Sequence, residues 1–153
     1  MLKPLANQRL LGTSELSVGP ISYGHWRLSE GNANEAASKT RAALDAGMTM
    51  IDTAAIYGYP DFGKAEELLG DVIKADPGMR KEMVLATKAG IYPPTPYDCR
   101  PDTIVQTCED SLRRLNTDVI DLFYIHRPDM LTPHADVAEG LMRLVDAGKV
   151  REI

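Results

Sequence analysis

Cysteine is scarce in this chain, which carries only Cys99 and Cys108. Neither belongs to a CxxC pair or stands at metal-ligand spacing from His25, His126 or His134, so both read as free thiols and no metal site is expected. Long apolar runs are missing as well. The greasiest stretch, VIDLFYI at 119–125, carries Asp121 and is far short of the ~20 residues a membrane-spanning helix needs. Met1-Leu2-Lys3-Pro4 opens onto no apolar leader segment, so a cytoplasmic location is expected. No block of one charge sign occurs either: the net charge of -5 is spread along the chain. That excludes nucleic acid and anionic membrane surfaces as default partners and leaves small molecules. Finally, no GxGxxG occurs anywhere, which weakens an open dinucleotide-binding sheet as the fold.

What is present is an ordinary globular composition, 153 residues with 44% hydrophobic and 25% charged, read as one domain over 1–153. A hairpin is expected over 7–19, its strands joined around Gly12-Thr13-Ser14, followed by a short strand at 21–24. From there strand and helix alternate. Helices are predicted at 34–47 with Asn34 as N-cap, 63–75, 101–116 and 133–148; strands at 48–54, 82–90 and 119–126, with REI at 151–153 opening a further one. Asp76-Pro77-Gly78 reads as a break. Alternation of this kind implies parallel strands joined by right-handed crossovers. Without a dinucleotide fingerprint, the (β/α) barrel is the better fit.

A barrel gathers its chemistry where successive strands end. Gly24-His25-Trp26 follows the first strand, Asp52 and Tyr57 the second, Lys88 ends the third and His126 the fourth. An acid, a phenol, an amine and an imidazole on one rim suit proton transfer to a carbonyl oxygen. A phenol holds its proton with an ordinary pKa of about 10, and an ammonium beside it stabilises the phenolate. Lys88 can supply that charge, Asp52 can hold the ammonium, and His126 can donate a hydrogen bond to the developing oxyanion. Tyr57 becomes the general acid. Each residue alone has a blander role: a turn aspartate, a loop tyrosine, a solvated lysine, a core histidine. Four such roles would have to coincide on one rim, which favours the catalytic reading. Glu66 and Glu67 are read as first-turn acids suited to a helix dipole.

The segments GTSELSVGPISYG, AALDAGMTMIDTAAIYG, EELLGDVIK, VLATKAG, SLRRLNTDVIDLFYIHRPD and LVDAGKVREI together resemble the N-terminal half of an aldo-keto reductase of the bacterial type. The resemblance covers nearly the whole chain in order. It implies a (β/α)8 TIM-barrel type fold, of which the first four βα units and a hairpin closing the barrel bottom are present. It also implies reduction of aldehydes or ketones with hydride from NADPH, with Asp52, Tyr57, Lys88 and His126 as the catalytic tetrad. Gly24, His25, Trp26 and Asp52 would lie against the cofactor, and Trp26, Tyr57 and His126 would face the carbonyl substrate.

A family barrel runs to about 250 residues, whereas this chain stops at GKVREI. Most of the NADP(H) site implied by the resemblance would lie in the second half. Three readings stay open at this stage: a truncated reductase, inactive by itself; a half-barrel that forms a homodimer or associates with its C-terminal half; and a non-catalytic scaffold or regulatory subunit.

Overall fold

The structure, a computed structural model, describes residues 7–28 and 31–153. The leader reading of Met1–Pro4 lies outside them. Two short strands, β1 (Arg9–Leu10) and β2 (Ser17–Val18), pair antiparallel as a hairpin. The hairpin leads to the lower end of the main sheet, where the Gly19 amide donates to Thr49 Oγ1 at 2.9 Å. A Cβ at Gly19 would stand 1.9 Å from the Gly47 carbonyl oxygen, so only glycine lets the two backbones meet here.

Five parallel strands follow in sequential order: β3 (Tyr23–Gly24), β4 (Met50–Asp52), β5 (Val84–Ala89), β6 (Ile120–Ile125) and β7 (Val150–Glu152). The helices between them are α1 (Ala33–Asp45), α2 (Lys64–Ala75), α3 (Pro77–Lys81), α4 (Pro101–Arg114) and α5 (His134–Asp146). Parallel neighbours joined in sequence by right-handed crossovers keep every helix on one side. The result is part of a (β/α) barrel, the architecture expected from the alternation.

The core lies between that outer sheet face and the helices, around Ile51, Leu69, Leu85, Ile104 and Phe123. Helix α2 shows why the sequence folds this way. Its buried Ala65, Leu68, Leu69, Val72 and Ile73 recur at the helical repeat, and each large aliphatic contributes about 1.5–3 kcal/mol on burial. Gly70 lets α2 press on the end of α4, since a Cβ there would stand 1.9 Å from the Arg114 carbonyl oxygen.

Two details differ from the sequence reading. The N-cap of α1 is Asn32, whose side chain accepts from the Asn34 and Glu35 amides, so Asn34 is already inside the helix. Asp76-Pro77-Gly78 starts the one-turn α3, because Asp76 accepts from the Gly78 and Met79 amides and Pro77 fits the first helical position. The inner sheet face is less bare than an open half-barrel suggests. Ile120, Ala86, Lys88 and Val150 are buried on it, with Met50, Val84, Leu122 and Tyr124 partly covered. Strand twist and coiling bring neighbouring side chains over one another. Among the described residues, no helix is long and apolar enough to cross a membrane.

Candidate active site

Asp52 is the last residue of β4, and the ladder continues past it, with the Thr53 amide donating to the Ala86 carbonyl at 2.9 Å. The chain then turns so that the Tyr57 carbonyl accepts from the Gly63 and Ala65 amides at 3.1 and 3.4 Å. This clamps the tyrosine's loop to the start of α2. Gly58 permits the turn: its φ is +115°, and a Cβ would stand 2.7 Å from both the Asp61 carbonyl oxygen and the Lys64 Cβ.

Lys88, on β5, is only 6% exposed, and its ammonium is fully engaged. Nζ donates to Asp52 Oδ1 at 2.7 Å, to the Thr53 carbonyl at 2.7 Å and to Tyr57 Oη at 3.2 Å. Three donors meet three acceptors, the satisfied state a buried ammonium requires. Because the Tyr57 oxygen accepts from Lys88, its own proton is left to point elsewhere. His126 follows β6, tied by its amide to the Ala89 carbonyl at 2.8 Å, and its ring meets Tyr57 edge-on at 5.6 Å. Burial, then the charges of Lys88 and Arg127, push the His126 imidazole below its ordinary value. It is therefore neutral near pH 7 and donates through one ring N–H.

Asp52, Tyr57, Lys88 and His126 thus come together on one rim. Trp26 stands beside them, its ring 6.4 Å from Tyr57, 67% exposed and with the Arg27 guanidinium 5.8 Å from its centroid. Gly24 pairs in register with Asp52, and a Cβ at Gly24 would meet nothing within 4 Å, so open space lies beside the carboxylate. His25 sits apart from this group. Its side chain is buried, with Nε2 3.5 Å from Thr40 Oγ1, Nδ1 without a partner among the described residues, and the Tyr23 ring edge-on at 5.1 Å. Desolvation lowers its pKa to about 4, against a small opposing pull from Asp52.

Sequence reasoning missed two residues. Tyr124, inside the run read simply as a buried strand, donates its hydroxyl to Asp52 Oδ2. The two-residue period of a strand held the signal, since Tyr124 lies two positions before His126 and directly opposite Lys88. Glu66 is more than a dipole acid: it is completely buried, accepting from Thr87 Oγ1 at 2.6 Å and Arg114 Nε at 2.7 Å. Glu67 is exposed and pairs with Lys64, as a first-turn acid would. A cavity of about 820 Å³ between Ile73, Lys74, Arg80, Leu112 and Lys149 lies at the opposite end of the sheet and gathers none of the tetrad.

The Aldo/keto reductase family model matches residues 20–153. The chain belongs to the aldo/keto reductase family. It is 49% identical over 150 residues to a 6-dehydroglucose reductase of Novosphingobium aromaticivorans, covering 95% of this chain and 49% of that protein. It is 42% identical over 146 residues to the aldo-keto reductase YhdN of Bacillus subtilis, covering 90% and 43%. The holo form of an aldo-keto reductase from Bacillus halodurans superposes with a TM-score of 0.80 at 31% identity, over 94% of this chain and 48% of that one. The chain spans about half the length of the curated relatives it matches. As a family member its sheet is part of a TIM barrel, and carbonyl reduction is the general chemistry its relatives support.

Proposed function

We propose that this segment carries the proton-transfer end of a nicotinamide-dependent carbonyl reductase, working in the cytoplasm on small aldehydes or ketones. The observation that carries the reading is the placing of the Lys88 ammonium between Asp52 Oδ1 and Tyr57 Oη. As a carbonyl carbon gains hydride, its oxygen gains negative charge and needs a proton. Tyr57 gives its hydroxyl proton to that oxygen, and Lys88 stabilises the phenolate left behind. Asp52 keeps the ammonium in place, and neutral His126 donates a hydrogen bond to the same oxygen. NADPH, when bound, would supply the hydride. Gly24 and Asp52 would receive its ribose end, the open space beside Gly24 being the fit on this chain, with Trp26 bordering the substrate. His25, enclosed beneath the rim, would support that strand end without touching either molecule. The 6-dehydroglucose reductase among the relatives suggests an aldehyde of sugar type as the first substrate to try.

Strands β3 and β7 pair on one side only among the described residues. Further strands, from a continuing polypeptide or a second copy, would complete the ring. Fluorescence titration of the whole protein with NADPH, followed by aldehyde-dependent loss of NADPH absorbance, tests the function. Saturable binding with turnover supports it; a folded protein that binds no NADPH rejects it. Intact mass with light scattering distinguishes a longer chain from a homodimer.

A further inference from the structure

We infer that Tyr124 is the positioning residue that keeps Asp52 turned toward Lys88; this rests on the reading of Lys88 and Tyr57 as the reacting pair. Asp52, Lys88 and Tyr124 stand on three adjacent strands, β4, β5 and β6, all on the inner face. The residue of β5 directly opposite Asp52 is Ala86. Its small side chain leaves the phenol of Tyr124 room to reach across β5 to β4, a distance of about two strand spacings. There the hydroxyl donates to Asp52 Oδ2, while Oδ1 accepts from Lys88 at 2.7 Å.

The ammonium consequently lies between two phenol rings, 4.7 Å from the centroid of Tyr57 and 5.3 Å from that of Tyr124. The two hydroxyls are used differently. The oxygen of Tyr57 accepts from Lys88 and its proton is free, whereas the proton of Tyr124 is committed to Asp52. Burial and the adjacent carboxylate both push the Tyr124 phenol upward, so it remains a donor throughout the working range. The side chain of Asp52 is 20% exposed, and a carboxylate held through one oxygen alone would exchange partners with water. Held through both oxygens, it offers Oδ1 to Lys88 in one orientation, and Lys88 in turn stays within reach of Tyr57.

Tyr124→Phe and Tyr124→Met, which keep the bulk and remove the hydroxyl, test this in the whole protein by steady-state kinetics and by crystal structures. A charge-assisted hydrogen bond lost from a preorganised group predicts a fall in kcat of about tenfold or more. KM for the carbonyl substrate should stay within about twofold. The crystal structure should show the Asp52 carboxylate rotated and Oδ1 beyond about 4 Å from Lys88 Nζ. An unmoved Asp52, or an unchanged kcat in both variants, overturns the inference. If the wild-type protein reduces no carbonyl compound, the proposed function falls separately, and the position of Asp52 in the variants alone decides the role of Tyr124.

Discussion

Two carboxylates on the sheet, Asp52 on β4 and Asp121 on β6, are each paired with a cation, yet they sit in opposite circumstances. The Asp121 side chain is 3% exposed: Oδ2 accepts from Arg80 Nη1 and the Leu85 amide, both at 2.8 Å, and Arg151 stands 3.2 Å from Oδ1. Arg80 reaches further, to the Val119 carbonyl, so its rigid fork ties α3 to the sheet. Asp52 is instead paired with a lysine, a compact charge with three donors, one of which reaches a phenol at the open rim. The first arrangement is closed on itself. Among the described residues the second leaves one proton, that of Tyr57, without a fixed acceptor, and that is the difference between a structural ion pair and one that can take part in a reaction.

The sharpest test of this contrast is Tyr57→Phe, which removes the free proton and leaves both ion pairs intact. Carbonyl reduction should fall by about 100-fold or more, with NADPH affinity and urea midpoint nearly unchanged. A mutant retaining most of its turnover would end the assignment of Tyr57 as proton donor. The complementary change, Arg80→Met, should do the reverse. It takes from Asp121 its buried cation and leaves it the Leu85 amide and the more exposed Arg151, at a cost of about 2 kcal/mol, read by chemical denaturation, while kcat per folded molecule stays near wild type.

His25 is buried with no ionic partner among the described residues, and its behaviour with pH should follow. Its pKa of about 4 lies below the ordinary imidazole value, so between about 6.5 and 4 the unfolded chain binds a proton that the folded one refuses. Its contribution is complete above about pH 6.5 and is lost as pH falls toward 4, by up to about 3 kcal/mol. Urea midpoints at pH 7 and pH 4.5 should differ less in His25→Asn than in the wild type; equal pH slopes would show that the imidazole is hydrated. The smallest effect belongs to Glu67→Gln. The exposed Lys64–Glu67 pair is 3.1 Å long, and its loss should change stability by less than about 0.5 kcal/mol. Glu66→Gln, one residue earlier, strips the charge facing Arg114 and should cost several times as much.

The four strand-end residues were readable because a parallel α/β chain announces each strand by the helix that follows, and chemistry-bearing types recur at those ends. Tyr124 was hidden by composition: within DLFYIH its aromatic ring looks like core, and only pairing with β5 shows that it shares a face with Lys88. Glu66 was hidden for the opposite reason. Local sequence makes an acid in a first helical turn look solvated, whereas its partners Thr87 and Arg114 lie 21 and 48 positions away. Helix α3 escaped because Pro-Gly usually interrupts a helix, and the capping by Asp76 that makes Pro77 a favourable first residue is a side-chain geometry. Distant partners and side-chain direction are the information a linear pattern carries least well.

The bare backbone at Gly24 has a consequence for how this protein tolerates change. Its φ is not positive, so the conformation itself does not demand glycine, and a methyl group there would touch nothing. A larger residue would fold without complaint and stand over Asp52 like a post in a doorway. A screen that counts only folded protein would pass it, and only a visiting molecule would find the entrance narrowed.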